Sequence, residues 1–153
     1  MPLSITQKNG IYHFSGTIDE FLNDKPISFL NSKVVLNLSG ISQINSQGMI
    51  QFKKLMETFV GKEVELHDCS TVFVDMLNIF PGMLGIPSRP EIVKSIMVDF
   101  QCINCEKNAT RRIQIRDQFN FKIEGDSDCK SCGEQTATML PLEEHFLFFS
   151  DRD

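Results

Sequence analysis

At 153 residues the chain has room for one compact domain or for a small domain with an added module, because domains usually run to about 100–150 residues. Its hydrophobic share of 41% and charged share of 23% are those of a core-forming protein and exclude a disordered or fibrous chain. A formal net charge of -5 sets the molecule as a whole against phosphate backbones and anionic membranes. The start of the chain has no basic leader followed by an apolar stretch, and no apolar run approaches about 18 residues. A cytoplasmic protein without membrane insertion is therefore expected.

In chain order, Leu3 and Ile5 alternate with polar residues, Asn9-Gly10 supplies the positive φ angles of a two-residue turn, and Tyr12 and Phe14 alternate on the way back. This predicts an opening β-hairpin. Between Asp19 and Asn31 a short apolar set is interrupted by Pro26, which predicts an irregular or kinked helix. Val34-Val35-Leu36-Asn37-Leu38 is almost continuously apolar, as strands covered on both faces are. Asn45 or Ser46 can then cap a helix in which Met49, Phe52, Met56 and Phe59 recur at spacings of three and four, with Gly61 closing it. Glu63–His67 alternates as a further strand. Ser70 or Thr71 caps a second helix carrying Phe73, Met76, Leu77 and Phe80, stopped by Pro81-Gly82. Gly82, Gly85, Pro87 and Pro90 read as a connector. We therefore place a boundary near Pro90, with residues 1–90 forming an α/β domain and residues 91–153 a small, mainly-β module.

The order strand, strand, weak helix, strand, helix, strand, helix, with Val34–Gly40 and the loop Ile44-Asn45-Ser46-Gln47-Gly48, resembles the STAS domain family over Leu3 to Gly85. That family includes anti-sigma factor antagonists, stressosome subunits and the cytoplasmic domains of sulfate-type anion transporters. The resemblance implies a mixed sheet with helices packed on it. It also implies a protein partner, such as a kinase, a sigma-regulatory protein or a transporter component, meeting Asn45, Ser46, Gln47 and Gly48. In the phosphoswitch members the hydroxyl residue directly before the glycine is phosphorylated. Here that residue is Gln47, so the usual phosphoacceptor is missing; Ser46 aligns one position earlier and Asn45 replaces the acid. Asn45 and Ser46 read first as capping residues, worth about 1 kcal/mol.

Four of the five cysteines form two C-x2-C pairs, Cys102/Cys105 and Cys129/Cys132, with 23 residues (106–128) between the pairs. Each such turn presents two thiolates on one side, half of a tetrahedral zinc shell. The intervening length accommodates two strands and their turns, and the arrangement resembles a zinc ribbon. All four positions are sulfur, so a closed structural site is expected rather than a catalytic one. Iron suits the same all-sulfur geometry.

Alternation places Arg112 and Arg116 on one face of a ribbon strand, opposite Ile113 and Ile115. Six basic residues against five acidic between Cys102 and Cys132 favour a solvated face over a nucleic-acid patch. His13, His67 and His145 are dispersed, Cys69 carries no nucleophile signature, and the apolar Phe146-Leu147-Phe148-Phe149 tail is expected to pack on the ribbon or pair as a strand. Together these residues point to a non-enzymatic regulatory or scaffold protein with a structural zinc ribbon. A nucleic-acid-associated ribbon protein and a transporter-associated STAS module are the alternatives.

Overall fold

The structure, a computed structural model, describes residues 1–25, 28–85, 89–117, 120–125, 128–138 and 141–149. Pro26, Pro87, Asp151 and Asp153 lie outside the described residues. The first half is a mixed α/β sheet with helices, and the second a β half-barrel bearing the four cysteines. Among the described residues no helix is long and apolar enough to cross a membrane.

β1 (Ser4–Lys8) and β2 (Ile11–Ile18) form the expected hairpin, antiparallel with Ser4 opposite Ser15 and Lys8 opposite Ile11. Asn9 and Gly10 both take positive φ, 54° and 77°, the combination that lets a two-residue turn follow the strands' right-handed twist. Of the expected kinked helix, the kink at Pro26 lies outside the described residues, and among the described residues of that segment one 3-10 turn forms, Leu22–Asp24. Its side chains are anchored by Leu22, which is buried, and by Asn23, whose amide donates to the Gln51 carbonyl and side chain.

β3 (Lys33–Ile44) runs parallel to β2 on one side and to β4 (Glu63–His67) on the other, giving the order β1-β2-β3-β4. The strand is interior, but only one of its faces is fully covered, not both as expected: Val34, Leu36 and Leu38 are buried, whereas Val35 and Asn37 on the opposite face are half-buried. α1 (Ser46–Thr58) crosses from β3 to β4 and α2 (Thr71–Ile79) leads on from β4 toward the second sheet, while the β2–β3 crossover carries the Leu22–Asp24 turn; both helices pack into the core. Phe52 of α1 and Phe73 of α2 meet edge-to-face at 5.1 Å, an arrangement worth about 0.5–1.5 kcal/mol beyond the area it buries. Asn45 caps α1 by accepting from the Gly48 N–H at 2.7 Å, and Ser70 caps α2 through Phe73 N–H.

Pro81–Leu84 forms a 3-10 turn with Met83 and Leu84 buried, and a second turn, Pro90–Ile92, leads into β5 (Ser95–Cys102). β5 begins as a parallel neighbour of the end of β4: Lys94 N–H donates to Leu66, Cys69 N–H to Ser95, and Met97 N–H to Cys69. It then becomes a strand of an antiparallel sheet ordered β7-β6-β5-β8, with β6 (Asn108–Asp117), β7 (Asn120–Ile123) and β8 (Thr136–Thr138). The inward residues Ile96, Val98, Phe100, Ile113 and Ile115 join the same apolar cluster as the first sheet and its helices.

The apolar tail is a kinked 3-10 segment, Leu142–Phe149, rather than a strand. Phe146 and Phe148 are buried, and Phe146 lies 5.0 Å from Phe121 of β7, so the segment does pack against the half-barrel. Its main anchor is Asn78 at the end of α2, which donates to the Glu144 and His145 carbonyls and accepts from Phe148 N–H.

Candidate metal centre

Two strands bring the cysteines together. β5 ends on Cys102, opposite Thr136 at the start of β8, and β8 leaves directly from the second cysteine turn. Antiparallel pairing of these strands therefore closes one turn over the other.

The two turns have matching backbones. In the first, Cys102 N–H donates to the Lys107 carbonyl and Glu106 N–H returns to the Cys102 carbonyl; in the second, Cys129 N–H donates to Glu134 and Gly133 N–H returns to Cys129. Each is closed by a residue at positive φ, Glu106 at 62° and Gly133 at 80°. Gly133 adopts that conformation freely, whereas Glu106 does so at the cost of its Cβ. Lys107 Nζ, 3.0 Å from Ser131 Oγ, ties one turn to the other.

The four Sγ atoms all lie within 4.8 Å of one another, with Cys102–Cys132 at 3.4 Å and Cys105–Cys129 at 3.6 Å. A disulfide requires about 2.05 Å, and all five cysteines are free thiols. Four sulfurs about 2.3 Å from a central ion stand about 3.8 Å apart along a tetrahedron's edges, and the cluster is of that size. The donor set and its spacing thus fit zinc, with Cys102, Cys105, Cys129 and Cys132 as ligands.

The electrostatics favour a cation. Backbone N–H groups of Ser131 and Cys132 aim at Cys129 and lower its thiol to about 6. Those of Cys105 and Asn104 act likewise on Cys102, whose Sγ they approach at 3.5 and 3.4 Å. Cys105 is pushed up to about 11: the Lys107 N–H favours its thiolate, but burial and hydrogen bonding to the neighbouring sulfurs outweigh it. Two sulfurs are thus shifted toward the thiolate and a third away from it, and a divalent cation would displace whatever protons remain. Cys69 stands apart from the cluster; it is buried, and burial raises its thiol far above the reactive range.

The loop at the amino end of α1 lies elsewhere. Asn45, Ser46 and Gln47 are exposed, while Gly48 is buried. A Cβ on Gly48 would stand 2.0 Å from the Ile18 carbonyl oxygen, so this glycine is required by the close crossing of α1 over the end of β2. Asn45 spends its side-chain oxygen on the cap, leaving Ser46 and Gln47 as the outward polar groups.

A second polar cluster joins the two sheets and was not legible in the sequence. Asp68, at φ 52° just past β4, accepts from Arg112 Nη2 at 2.7 Å, from Ser95 Oγ at 2.9 Å and from Asn37 Nδ2 at 3.1 Å. Arg112 Nε stands 2.6 Å from Asp68 Oδ1 as a close charge contact off the hydrogen-bond axis, and Nη1 reaches Glu124 at 3.4 Å. Arg112 is thus no free cation on a solvated face. Arg111 also turns inward, stacking 4.9 Å over Phe100 and donating to the Glu124 and Gly125 carbonyls. Arg116 is exposed.

In comparisons with known proteins the chain matches no family model, and neither a curated protein nor a solved structure is similar to it.

Proposed function

We propose that this chain is a non-enzymatic, cytoplasmic regulatory or scaffold protein whose STAS-like first half docks a protein partner at the amino end of α1, while zinc on the four cysteines keeps the half-barrel folded. The observation that carries the docking site is the mixed character of that end of the helix. Among the described residues Ser46 and Gln47 are exposed with no side-chain partner, Ile50 is exposed one helical turn further on, and Phe21 is exposed as well. Phe21 precedes the 3-10 turn that Asn23 ties to Gln51, the residue after Ile50. Apolar side chains ringed by uncommitted polar groups are the usual make-up of a transient protein interface.

The same reading supports the STAS resemblance: an antiparallel first strand followed by parallel strands with helical crossovers agrees with it. With Gln47 in the position of the phosphoacceptor, occupancy of this loop would be controlled by something other than phosphorylation there. The nucleic-acid alternative loses ground because Arg111 and Arg112 are already paired within the chain, with the Glu124 and Gly125 carbonyls and with Asp68.

The test is capture from native cells with the intact chain and with two exposed-site variants, Gln47→Arg and Ile50→Asp, each checked for an unchanged circular dichroism spectrum. One partner should be lost from both variants and retained by an Arg116→Glu control. Equal recovery by all four proteins refutes the docking site.

A further inference from the structure

We propose that the crevice between α1, the 3-10 turn at Leu22–Asp24 and the β1–β2 hairpin is a binding site for a small amphipathic carboxylate, a free fatty acid of about six to ten carbons. It uses Lys54, Leu55 and Thr58 in the carboxyl half of α1 rather than its amino end, and borders the docking surface above at the Leu22–Asp24 turn.

The crevice encloses about 300 Å³, at the small end of ligand pockets. Its floor is apolar: Phe14, Leu22 and Leu55 are buried core residues, and Ile5 and Phe29 pack against them. Phe29 is held in place by ring contacts with Tyr12 at 4.6 Å and Phe59 at 5.0 Å, and Lys62 donates to its carbonyl. The wall is thus pre-formed, and an apolar floor of this kind gives water few partners.

Among the polar groups that line it, two are already spent. Asn23 donates to Gln51, and Thr58 Oγ1 donates to the Leu55 carbonyl. The remaining polar groups are the ammoniums of Lys25 and Lys54. Neither has a carboxylate partner among the described residues, although the chain carries an excess of acidic side chains and pairs Lys33 and Lys53 with glutamates. An oily floor with two unneutralised cations at its wall calls for a ligand with an apolar tail and one anionic head. A phosphate or nucleotide would leave the floor unfilled, and a neutral hydrocarbon would leave the cations unused.

The experiment is a titration of the full-length, ¹⁵N-labelled, zinc-loaded protein with sodium hexanoate, heptanoate and octanoate, followed by amide chemical shifts. The expected result is saturable one-to-one binding with shifts centred on Ile5, Leu55 and Thr58, and affinity rising about fourfold per added methylene. The Lys25→Glu/Lys54→Glu variant changes only solvent-reaching side chains. It should keep the wild-type spectrum and bind octanoate about tenfold more weakly. Non-saturating shifts, shifts centred elsewhere, or equal binding of octanoate by the double variant and of methyl octanoate by the wild type would each overturn the assignment.

Discussion

Replacing Asp68 with Asn tests how the half-barrel is fastened to the first sheet. The Asp68 side chain is only 14% exposed and faces three donors, from Arg112, Ser95 and Asn37. Asparagine keeps the volume and tolerates the left-handed backbone at φ 52°, so the substitution isolates the charge. It removes a charge-assisted hydrogen bond, worth about 1.5–3 kcal/mol, and turns a new donor toward Arg112 or Asn37. Arg112 is 42% exposed and keeps Glu124 and solvent, which holds the cost below the roughly 3–5 kcal/mol typical of a fully buried broken pair. We expect a loss of about 2–3 kcal/mol, a fall in Tm of roughly 4–10 °C for a chain of this size. Thermal unfolding of the zinc-loaded protein, followed by far-ultraviolet circular dichroism, measures it. A cycle with Arg112→Ala should give a coupling of at least about 1 kcal/mol between the two residues. Additive effects, or a change in Tm below about 2 °C for Asp68→Asn, would show that the fork contributes nothing to joining the sheets.

Elemental analysis should find one zinc per chain, lost on Cys129→Ser, and a strong chelator should abolish protection of β6–β8 amides from hydrogen exchange before it affects β2 and β3. Gly48→Ala should destabilise the protein by more than about 3 kcal/mol, or prevent its accumulation, because the new methyl meets the Ile18 carbonyl oxygen at 2.0 Å; wild-type stability by urea unfolding would contradict the required close approach. The hydrogen bond from His67, 2.8 Å away and aided by Lys33, holds the Glu65 carboxyl below its ordinary value. Its folded pKa being the lower one, the contribution is present above the unfolded value of about 4.3 and is lost as pH falls through the folded value. Wild type should therefore lose more stability than Glu65→Gln on going from about pH 5 to pH 3, and parallel acid curves would count against the pairing.

Local information accounts for most of what could be read from the residues in advance. Asn9-Gly10, Ser70 and the two C-x2-C turns each act within about four residues, through positive φ, a capping oxygen or paired thiols. Their consequences in the structure follow directly: the hairpin, the start of α2 and the sulfur cluster. The apolar run of β3 did mark an interior strand, but its cover is one-sided: Val34, Leu36 and Leu38 are buried, while Val35 and Asn37 on the other face are half-buried.

Tertiary contact decided the rest. The segment from Asp19 to Asn31 carries apolar residues enough for a helix, yet Leu22 and Asn23 find partners in the core and on Gln51, and among its described residues only Leu22–Asp24 winds into a turn. The tail reads as strand-like by composition, but Asn78, more than sixty residues away, satisfies its carbonyls and an N–H in a 3-10 form. Arg112 alternates like any solvated strand residue; its partner Asp68 lies 44 positions earlier and comes within reach only where β5 passes from one sheet to the other. Periodicity reports which face a residue occupies, not what the fold sets opposite it. The sequence alone therefore determined the two pairs of thiols, because each is made within a single turn, while the pairing of β5 with β8 brought one pair onto the other. Whether Arg112 meets solvent or a carboxylate was settled by the packing of two sheets distant in the chain.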